Sequence, residues 1–340
     1  MLVFLAMAAE IWLHGFPFPR RTVELAVQAE RWGFDGLLLA DSENLVGDPY
    51  VELALASRST ERLRLGPGVT NPVTRHPAVT AAAVATLQVE SAGRAALVFG
   101  RGDSAVLQLG HQPATTAELE RGLTQLRGFL SGEDVELENG YQTRMNWIAT
   151  MHPNKVPVDV AATGPRTIAV GAQHAGRVTF TVGADLRRIS WAVGEARRAE
   201  AGRGAVKLGA FVNVAVHPDI AVARDLVRGS AAIFVHYASE GPREVLPVED
   251  REVVERLGAT YDERNHGLST ANHAALLPDE FLDRFAVVGP ADRCAERLRE
   301  LLGLGLERIV VVPGSRDADP HALAESNARF ASEVLPALRG

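Results

Sequence analysis

The sequence has a single cysteine, Cys294, among its 340 residues. One cysteine excludes an intramolecular disulfide bond and a metal cluster built on cysteine ligands. It fits a reducing compartment, so we expect a cytoplasmic location. The sequence also lacks an excess of basic residues. It has 35 lysine and arginine residues and 42 acidic ones, so the formal net charge is -7. This balance argues against a nucleic-acid-binding protein, which usually carries a basic surface.

Long apolar runs are absent too. No stretch reaches the roughly 18 consecutive apolar residues that cross a membrane. Residues 1–9 are apolar, but the segment has no basic start and Glu10 follows it at once. We interpret it as the beginning of a first core strand rather than as a signal peptide. The sequence therefore predicts a soluble protein that does not bind membranes.

Motifs for metal and nucleophile chemistry are missing as well. The ten histidines include no pair at His-x-x-x-His spacing, so we predict no metal site. The Gly-x-Ser-x-Gly run typical of serine hydrolases does not occur. Residues 100–104 (GRGDS) have two glycines, without the third that the dinucleotide-binding fingerprint requires.

What the sequence does contain is an alternation of short apolar runs with helical patterns. Near-continuous apolar runs are typical of parallel strands that are covered on both faces. The eight runs lie at residues 11–13, 36–40, 63–66, 95–99, 156–161, 178–182, 211–216 and 308–312. Eight strands alternating with helices predict an α/β fold, a (β/α)8 TIM barrel, with a doubly wound open sheet as the alternative.

Two segments interrupt this alternation. Residues 131–155 contain Asn139-Gly140, the dipeptide most typical of a tight β-hairpin. Residues 238–285 are polar and contain His266 and His273, which we interpret as solvent-exposed loop residues in preference to substrate contacts. We expect one domain over residues 1–340, with both segments inserted at the carboxyl-end face, where they shape the substrate mouth.

The residues that follow each apolar run are the candidates for chemistry, because a barrel has its active site at the carboxyl ends of the strands. These loops are rich in glycine and hydroxyl groups and poor in metal ligands. They read DSE at 41–43, GVTN at 68–71, GRGDS at 100–104, TGPRT at 163–167 and GAD at 183–185.

Several of these loop residues allow two interpretations. Residues 163–167 follow a strand and open a helix, whose free N–H groups suit a phosphate, with Arg166 as a charged contact. The alternative is an ordinary turn in which Thr163 caps the helix. Asp103 is either a helix cap or a catalytic carboxylate, and taken alone the cap is favoured. His76 precedes a proline that opens a helix, which favours capping over catalysis.

Three blocks of sequence carry a family resemblance. They are GPGVTNPVTRHPAVT at 66–80, GR at 93–94 and GRGDSAV at 100–106, with support from GFDG at 33–36, TGPRT at 163–167 and VGPA at 288–291. In this order they resemble the bacterial luciferase-like superfamily. Within it, the chain is most similar to the branch of methylenetetrahydromethanopterin reductase and related deazaflavin-dependent oxidoreductases.

The resemblance implies a barrel that binds coenzyme F420 or a flavin at its carboxyl-end mouth. It implies a non-prolyl cis peptide bond between Gly68 and Val69, which forms a bulge behind the central ring. Asp41 and Asn71 would contact the ring or its ribityl chain, and Gly102 and Asp103 would lie beside the ring. The full set of cofactor contacts is Asp41, Gly68, Val69, Asn71, Gly102, Asp103, Thr163, Gly164 and Arg166, of which Thr163 and Gly164 would hold the phosphate.

One position departs from the family pattern. In the sugar-phosphate dehydrogenase branch a histidine follows the aspartate and works in proton transfer, whereas this chain has Ser42 there. A serine cannot act unaided as an acid or base near neutral pH, so we do not expect glucose-6-phosphate oxidation.

These points lead to three functional hypotheses. The first is a coenzyme F420-dependent oxidoreductase that passes a hydride to or from a small organic substrate. In it, Asp103 and Asp41 orient the ring and handle a proton, with Ser42 or water as a relay. The second is a monooxygenase that uses reduced FMN from a separate reductase. The third is a barrel without activity that binds a flavin or a homologous subunit. The resemblance also implies a homodimer.

Overall fold

The computed structural model describes residues 9–151, 155–200, 202, 204–239 and 241–340. Its strands are β1 (Glu10–Gly15), β2 (Gly36–Leu39), β3 (Arg64–Pro67), β4 (Leu97–Phe99), β5 (Val135–Glu136), β6 (Gln142–Thr143), β7 (Val158–Ala162), β8 (Arg177–Phe180), β9 (Lys207–Val216), β10 (Val287–Gly289) and β11 (Arg308–Val312). The predicted first strand thus begins at Glu10, and residues 1–8 lie outside the described part.

Helices occupy most of the connections between these strands. The α-helices are α1 (Thr22–Trp32), α2 (Pro49–Ser59), α3 (Pro77–Glu90), α4 (Ser104–Gln108), α5 (Thr116–Ser131), α6 (Ile148–Met151), α7 (Pro165–His174), α8 (Leu186–Ala199), α9 (Ile220–Ser239), α10 (Val248–Thr260), α11 (Asp279–Phe285), α12 (Ala291–Gly303), α13 (Pro320–Arg329) and α14 (Leu335–Arg339). Short 3-10 helices lie at Arg243–Val245, Glu263–Asn265 and Ala274–Leu276, and a π-helical turn lies at Phe330–Val334.

Eight parallel strands form a barrel. Their order is β3, β2, β1, β11, β9, β8, β7 and β4, and parallel bridges from Leu65 to Ala95 and from Thr70 to Phe99 bring β3 beside β4. Each of the eight apolar runs overlaps one of these strands. The predicted (β/α)8 barrel is therefore confirmed, and the open sheet is wrong because the first and last strands of that order meet.

Burial on both faces of the strands explains their near-continuous apolar composition. All four residues of β2 are buried, for example. Alternate side chains of β1 enter different cores: Ile11 and Leu13 pack among the helices around the barrel, whereas Trp12 packs inside it. Gly36 is the register partner of Trp12, and a Cβ atom there would lie 2.4 Å from the indole ring. Glycine at this position therefore gives the ring its place inside the barrel.

A buried charge cluster closes the amino end of the barrel. The Arg308 guanidinium lies 4.0 Å from the Trp12 ring centre and pairs with Asp159 at 2.5 Å and with Glu10 at 2.6 Å. Arg177 lies 3.6 Å from Asp159. Buried charges persist only when they are paired, so these side chains hold the first residues of their strands together.

The short strand β10 was not predicted. It pairs with residues 214–216 of β9, beyond the point where β11 pairs with residues 209–213. β9 is ten residues long and therefore accommodates two parallel partners in succession. A strand of three residues has too little periodicity to be recognised from its sequence.

Only one of the two inserted segments lies at the carboxyl-end face. β5 and β6 pair antiparallel around Asn139–Gly140, which confirms the hairpin. However, residues 131–155 lead from the end of α5 to the start of β7, and helix-to-strand connections lie at the amino end of such a barrel. Accordingly, Gln88 near the end of α3 donates to the Lys155 carbonyl. Our expectation that this segment shapes the mouth is wrong for its described residues, and residues 152–154 lie outside them.

The second segment, residues 238–285, does reach the carboxyl-end face, where Gly241, His266 and Gly267 line a cavity. Among the described residues, none of the helices combines the length and apolar composition required to cross a bilayer.

Candidate active site

A cavity of about 490 Å³ opens at the carboxyl ends of the barrel strands. Its size is typical of pockets for cofactors and small ligands. All the residues assigned to catalysis or cofactor binding line it: Asp41, Ser42, Gly68, Val69, Asn71, Gly102, Asp103, Thr163, Gly164 and Arg166. The candidate loop at 183–185 does not. The strand-end rule therefore located the site, although it did not specify what each side chain contacts.

The peptide bond between Gly68 and Val69 is cis, as the resemblance implied. His14, at the end of β1, lies 2.9 Å from the Gly68 carbonyl through Nε2. A carbonyl can only accept, so Nε2 carries the hydrogen. Burial lowers the pKa of His14 to about 4, so the ring is neutral at physiological pH and supports the bulge without adding charge.

Asn71 follows this bulge and folds back on its own turn. Its Oδ1 accepts the N–H groups of Val73 and Thr74, both at 2.9 Å, and Nδ2 donates to Thr74 Oγ1 at 3.1 Å. One Nδ2 hydrogen is left for the cavity. Gly102 has φ +79°, and a Cβ atom there would lie 2.9 Å from Asn71 Cγ. Glycine is thus required at 102 for both its backbone angle and its close approach to Asn71.

Asp41 follows β2 and is buried. Arg75 Nε donates to its Oδ2 at 3.2 Å, and Arg75 Nη2 donates to Asp48 at 2.7 Å. Burial raises the pKa of Asp41, while the charge of Arg75 opposes that rise. Asp41 Oδ1 is buried without a hydrogen-bond partner among the described residues, so one carboxylate oxygen is fixed by Arg75 and the other is left for a ligand. The adjacent Ser42 hydroxyl lies 3.2 Å from that of Ser104.

Asp103 occupies the residue position before α4, but its side chain does not cap the helix. Its Oδ2 is buried and has no hydrogen-bond partner in the described part of the chain. Burial raises the pKa of Asp103, and the nearby charge of Glu263 raises it further. The capping interpretation is therefore wrong, and the geometry favours a carboxyl group free for chemistry.

A polar cluster faces Asp103 from the second inserted segment and from α9. Glu263 lies 3.5 Å from His236 Nε2 and 3.4 Å from His266 Nδ1. The Tyr261 ring stacks on that of His236 at a centroid separation of 4.1 Å, and its centroid lies 4.2 Å from that of the tilted His273 ring. His266 and His273 are 6% and 1% exposed. Our prediction of solvent-exposed histidines is wrong, because this segment packs its aromatic rings against α9.

The loop after β7 provides a polar end to the cavity. α7 begins at Pro165, and Gly164 occupies the cap position without a side-chain cap. The Thr163 hydroxyl instead pairs with that of Thr181 at 2.6 Å, so the interpretation of Thr163 as a helix cap is wrong. The first N–H groups of a helix lack internal partners and carry positive partial charge. They make this end of the cavity suitable for an anion.

His76 does cap a helix, because its Nδ1 accepts the Ala78 N–H at 3.1 Å. Several contributors to the site were not predicted from the sequence, among them His14, Arg75 and Glu263. His14 directly ends the first apolar run, so the strand-end rule applied there would have found it. Arg75 lies within the block at 66–80 but not at a strand end. Glu263 gave no local signal, since only folding brings it near Asp103.

The chain is similar in sequence to known proteins. The sequence model of the family described as luciferase-like monooxygenase matches residues 1–308. The chain is 28% identical over 297 residues to the 5,10-methylenetetrahydromethanopterin reductase of Methanolobus tindarius, covering 83% of this chain and 86% of that protein. It is 28% identical over 351 residues to the F420-dependent glucose-6-phosphate dehydrogenase of Intrasporangium calvum, covering 95% and 96%.

Among solved structures, the coenzyme F420 dependent tetrahydromethanopterin reductase from Methanopyrus kandleri is similar, with a TM-score of 0.76. The identity is 22%, and the match covers 97% of this chain and 99% of that one. At this identity the likeness supports the barrel fold.

Proposed function

This chain belongs to the luciferase-like monooxygenase family, and from that premise we propose that it is an oxidoreductase dependent on coenzyme F420. The proposed reaction transfers a hydride between the cofactor and a small organic substrate with a C=C, C=N or C=O bond. The observation that carries the proposal is the free carboxyl group of Asp103 in a cavity that also has a site for an anion. The relatives named above, a methylenetetrahydromethanopterin reductase and an F420-dependent dehydrogenase, support the choice of cofactor.

The residues present fit such a cofactor. Asp41 and Asp103 each leave a buried carboxylate oxygen without a partner among the described residues, and both line the cavity. Gly102 keeps open the space that a side chain would fill against Asn71. A deazaflavin needs polar contacts along its ring edge and ribityl chain and an anion site for its phosphate, which these features provide.

In this proposal each part of the cavity has a role in binding. Asp41, fixed by Arg75, and Asn71 would contact the ring or the ribityl chain. Gly68 and Val69 would support the back of the ring. Thr163, Gly164 and Arg166 would hold the phosphate, since Arg166 is exposed at the first turn of α7 and can form charge-assisted hydrogen bonds. A bound deazaflavin supplies or accepts the hydride.

The chain's own contribution to the reaction is orientation, exclusion of water and movement of a proton. Val69 and Phe211 give the cavity apolar walls, which keep water from the reacting atoms. We assign the proton to Asp103, with Asp41 as an orienting group and Ser42, beside Ser104, as a relay. Because Ser42 cannot replace a histidine as a base, the proposed substrates are not sugar phosphates.

The alternative function is a monooxygenase that uses reduced FMN, and the description of the matching family favours it. The two cofactors share the ring, ribityl chain and phosphate, so the same residues would hold either. This alternative requires a separate reductase to supply the reduced cofactor.

Titration of the purified protein with coenzyme F420 and, separately, with FMN tests the proposal through quenching of cofactor fluorescence. We expect tighter binding of F420, followed by anaerobic oxidation of the reduced cofactor with unsaturated acceptors. Tighter FMN binding, with reduced FMN consumed only in the presence of oxygen, would instead establish the alternative. Arg166→Ala should weaken F420 binding about tenfold, the loss expected for a charge-assisted hydrogen bond. The exposed Arg187→Ala, outside the cavity, is its matched control and should leave binding unchanged.

We propose that residues 1–340 form one barrel domain, supported by the pairing of β1 with β11. A homodimer is supported by large exposed apolar side chains on α2 and α3, namely Val51, Leu55 and Val79, and light scattering at micromolar concentration tests it. We also propose a cytoplasmic location, which the single cysteine supports. Burial raises the pKa of the Cys294 thiol to about 12.

A further inference from the structure

Asp103 has a second carboxyl group beside it. The ligand atoms of Asp103, Glu263 and His236 all lie within 4.8 Å of one another. A hydrogen bond also connects the segments that carry Asp103 and Glu263. Gln108 at the end of α4 donates Nε2–H to the Glu263 backbone carbonyl at 2.8 Å. α4 begins directly after Asp103, so this bond ties the segment that carries Asp103 to the 3-10 helix that carries Glu263.

The charged and titratable groups around the pair come from three elements. From α9, His236 approaches Glu263 at 3.5 Å, and Tyr237 lies near enough to Asp103 to oppose the rise in its pKa. From the loop after the 3-10 helix, His266 approaches Glu263 at 3.4 Å. Tyr261 lies behind His266, with its hydroxyl 3.0 Å from Nδ1.

The outer groups lie further from Asp103. The His273 ring packs against Tyr261 at a tilt of 35°, the Asp262 N–H donates to His273 Nδ1, and Arg316 donates to the His266 carbonyl at 2.8 Å. On its own loop, Arg101 turns away from Asp103 and donates to the Ala114 carbonyl. Both histidines nearest the pair therefore contact Glu263 rather than Asp103.

Two half-buried carboxyl groups this close do not both ionise easily, so the pair retains one proton. The negative charge settles on the member with the better partners. The carboxylate oxygens of Glu263 lie 3.5 Å from His236 and 3.4 Å from His266, whereas no ion pair within the described residues reaches Asp103; Asp103 Oδ2 and Glu263 Oε2 both lack a hydrogen bond there.

We propose that Glu263, between His236 and His266, carries the negative charge of the pair and thereby keeps Asp103 as the neutral acid that protonates the substrate. Glu263 is then a positioning residue that acts through Asp103. This inference rests on the proposed function for its catalytic meaning, but the protonation it assigns exists in the protein without cofactor.

The proton balances the reduction. One carbon of the C=C, C=N or C=O bond would receive the hydride, with both electrons, that a bound reduced deazaflavin supplies. Asp103 gives its proton to the other atom, the double bond becomes a single bond, and Asp103 remains as a carboxylate. Uptake of one proton from water restores the acid.

Infrared pH titration of the full-length protein without cofactor tests the assignment. The difference between wild type and Asp103→Asn isolates the carbonyl stretch of the protonated Asp103 carboxyl group. We expect this band in the wild type at pH 7. In Glu263→Gln, compared with the double variant Glu263→Gln/Asp103→Asn, its midpoint should fall by about one pH unit or more, because the neighbouring charge is gone.

Glu252→Gln is the matched control, since Glu252 is an exposed residue of α10 and the charge change is the same; its midpoint should equal that of the wild type. If Glu263→Gln does not fold, Glu263→Asp, which withdraws the carboxylate by one methylene group, should give a smaller shift in the same direction. Absence of the Asp103 band at pH 7, or an unchanged midpoint in the Glu263 variants, overturns the inference. Neither result depends on F420 binding, so failure of the proposed function is seen separately in the cofactor titration.

Discussion

Asp103 and Asp319 each precede a helix, and a comparison of the two distinguishes a catalytic carboxyl group from a structural one. Asp103 precedes α4 without capping it, whereas Asp319 precedes α13 and accepts the Ala322 N–H at 2.8 Å. The same substitution, aspartate to alanine, should therefore have opposite consequences at the two positions. We expect Asp319→Ala to destabilise the protein and leave turnover intact. We expect Asp103→Ala to lower turnover by orders of magnitude without destabilising the protein.

The magnitudes follow from the contacts. Loss of a side-chain cap costs about 1 kcal/mol, which lowers the melting temperature of a chain this long by about 2 °C. Asp103→Ala breaks no cap and removes a buried carboxyl group. Because the pKa of folded Asp103 lies above its ordinary value of 3.8, the folded protein binds this proton more tightly than the unfolded chain does. Its contribution to stability is therefore lost as the pH rises above about 3.8 toward the raised pKa, and the variant escapes that loss.

Thermal unfolding across a pH series, together with turnover of reduced F420, measures both effects. Relative to the wild type, Asp103→Ala should gain stability from acidic to neutral pH, while its turnover falls by a factor of about 100 to 10,000, the usual contribution of a general acid. A loss of stability equal to that of Asp319→Ala would refute the reasoning, because it would show that Asp103 has a structural role. So would normal turnover in Asp103→Ala.

Three further predictions follow from the structure. NMR of the His14 imidazole should show a neutral ring down to about pH 4; since its pKa is lowered, its contribution to stability is lost as the pH falls from about 6.5 to 4, and a protonated ring at pH 6 would contradict this. Gly102→Ala should weaken F420 binding at least tenfold and lower the melting temperature, because φ is positive and the new Cβ meets Asn71. Its control, Gly194→Ala in α8, meets nothing within 4 Å and should stabilise the protein by about 0.5–1 kcal/mol; equal effects of the two would refute the crowding argument. Asp159→Ala should destabilise the protein by about 3–5 kcal/mol in denaturant titration, because it removes a partner of the buried Arg308, and a loss below 1 kcal/mol would show that Glu10 alone suffices.

The fold was predictable because its strands are buried on both faces, and burial leaves continuous apolar runs in the sequence. The resemblance added the cis peptide bond at Gly68, which no local pattern indicates. The prediction failed for residues 131–155, because their composition distinguishes an insertion from a barrel element but not one end of the barrel from the other. It also failed for His273, since polar composition does not reveal packing against a helix that lies elsewhere in the chain.

The sequence by itself determined the alternation of strands and helices, and with it the loops where chemistry occurs, because parallel strands bring their carboxyl ends to one edge. Only the tertiary structure decided what those loops contact. Asp41 is fixed by Arg75, Asp103 is free of its helix, and Glu263 stands beside Asp103 with a histidine on each side. Those relations are set by distances between residues far apart in the chain. Charge on a buried group depends on such distances, and so the protonation of the site is a property of the folded protein.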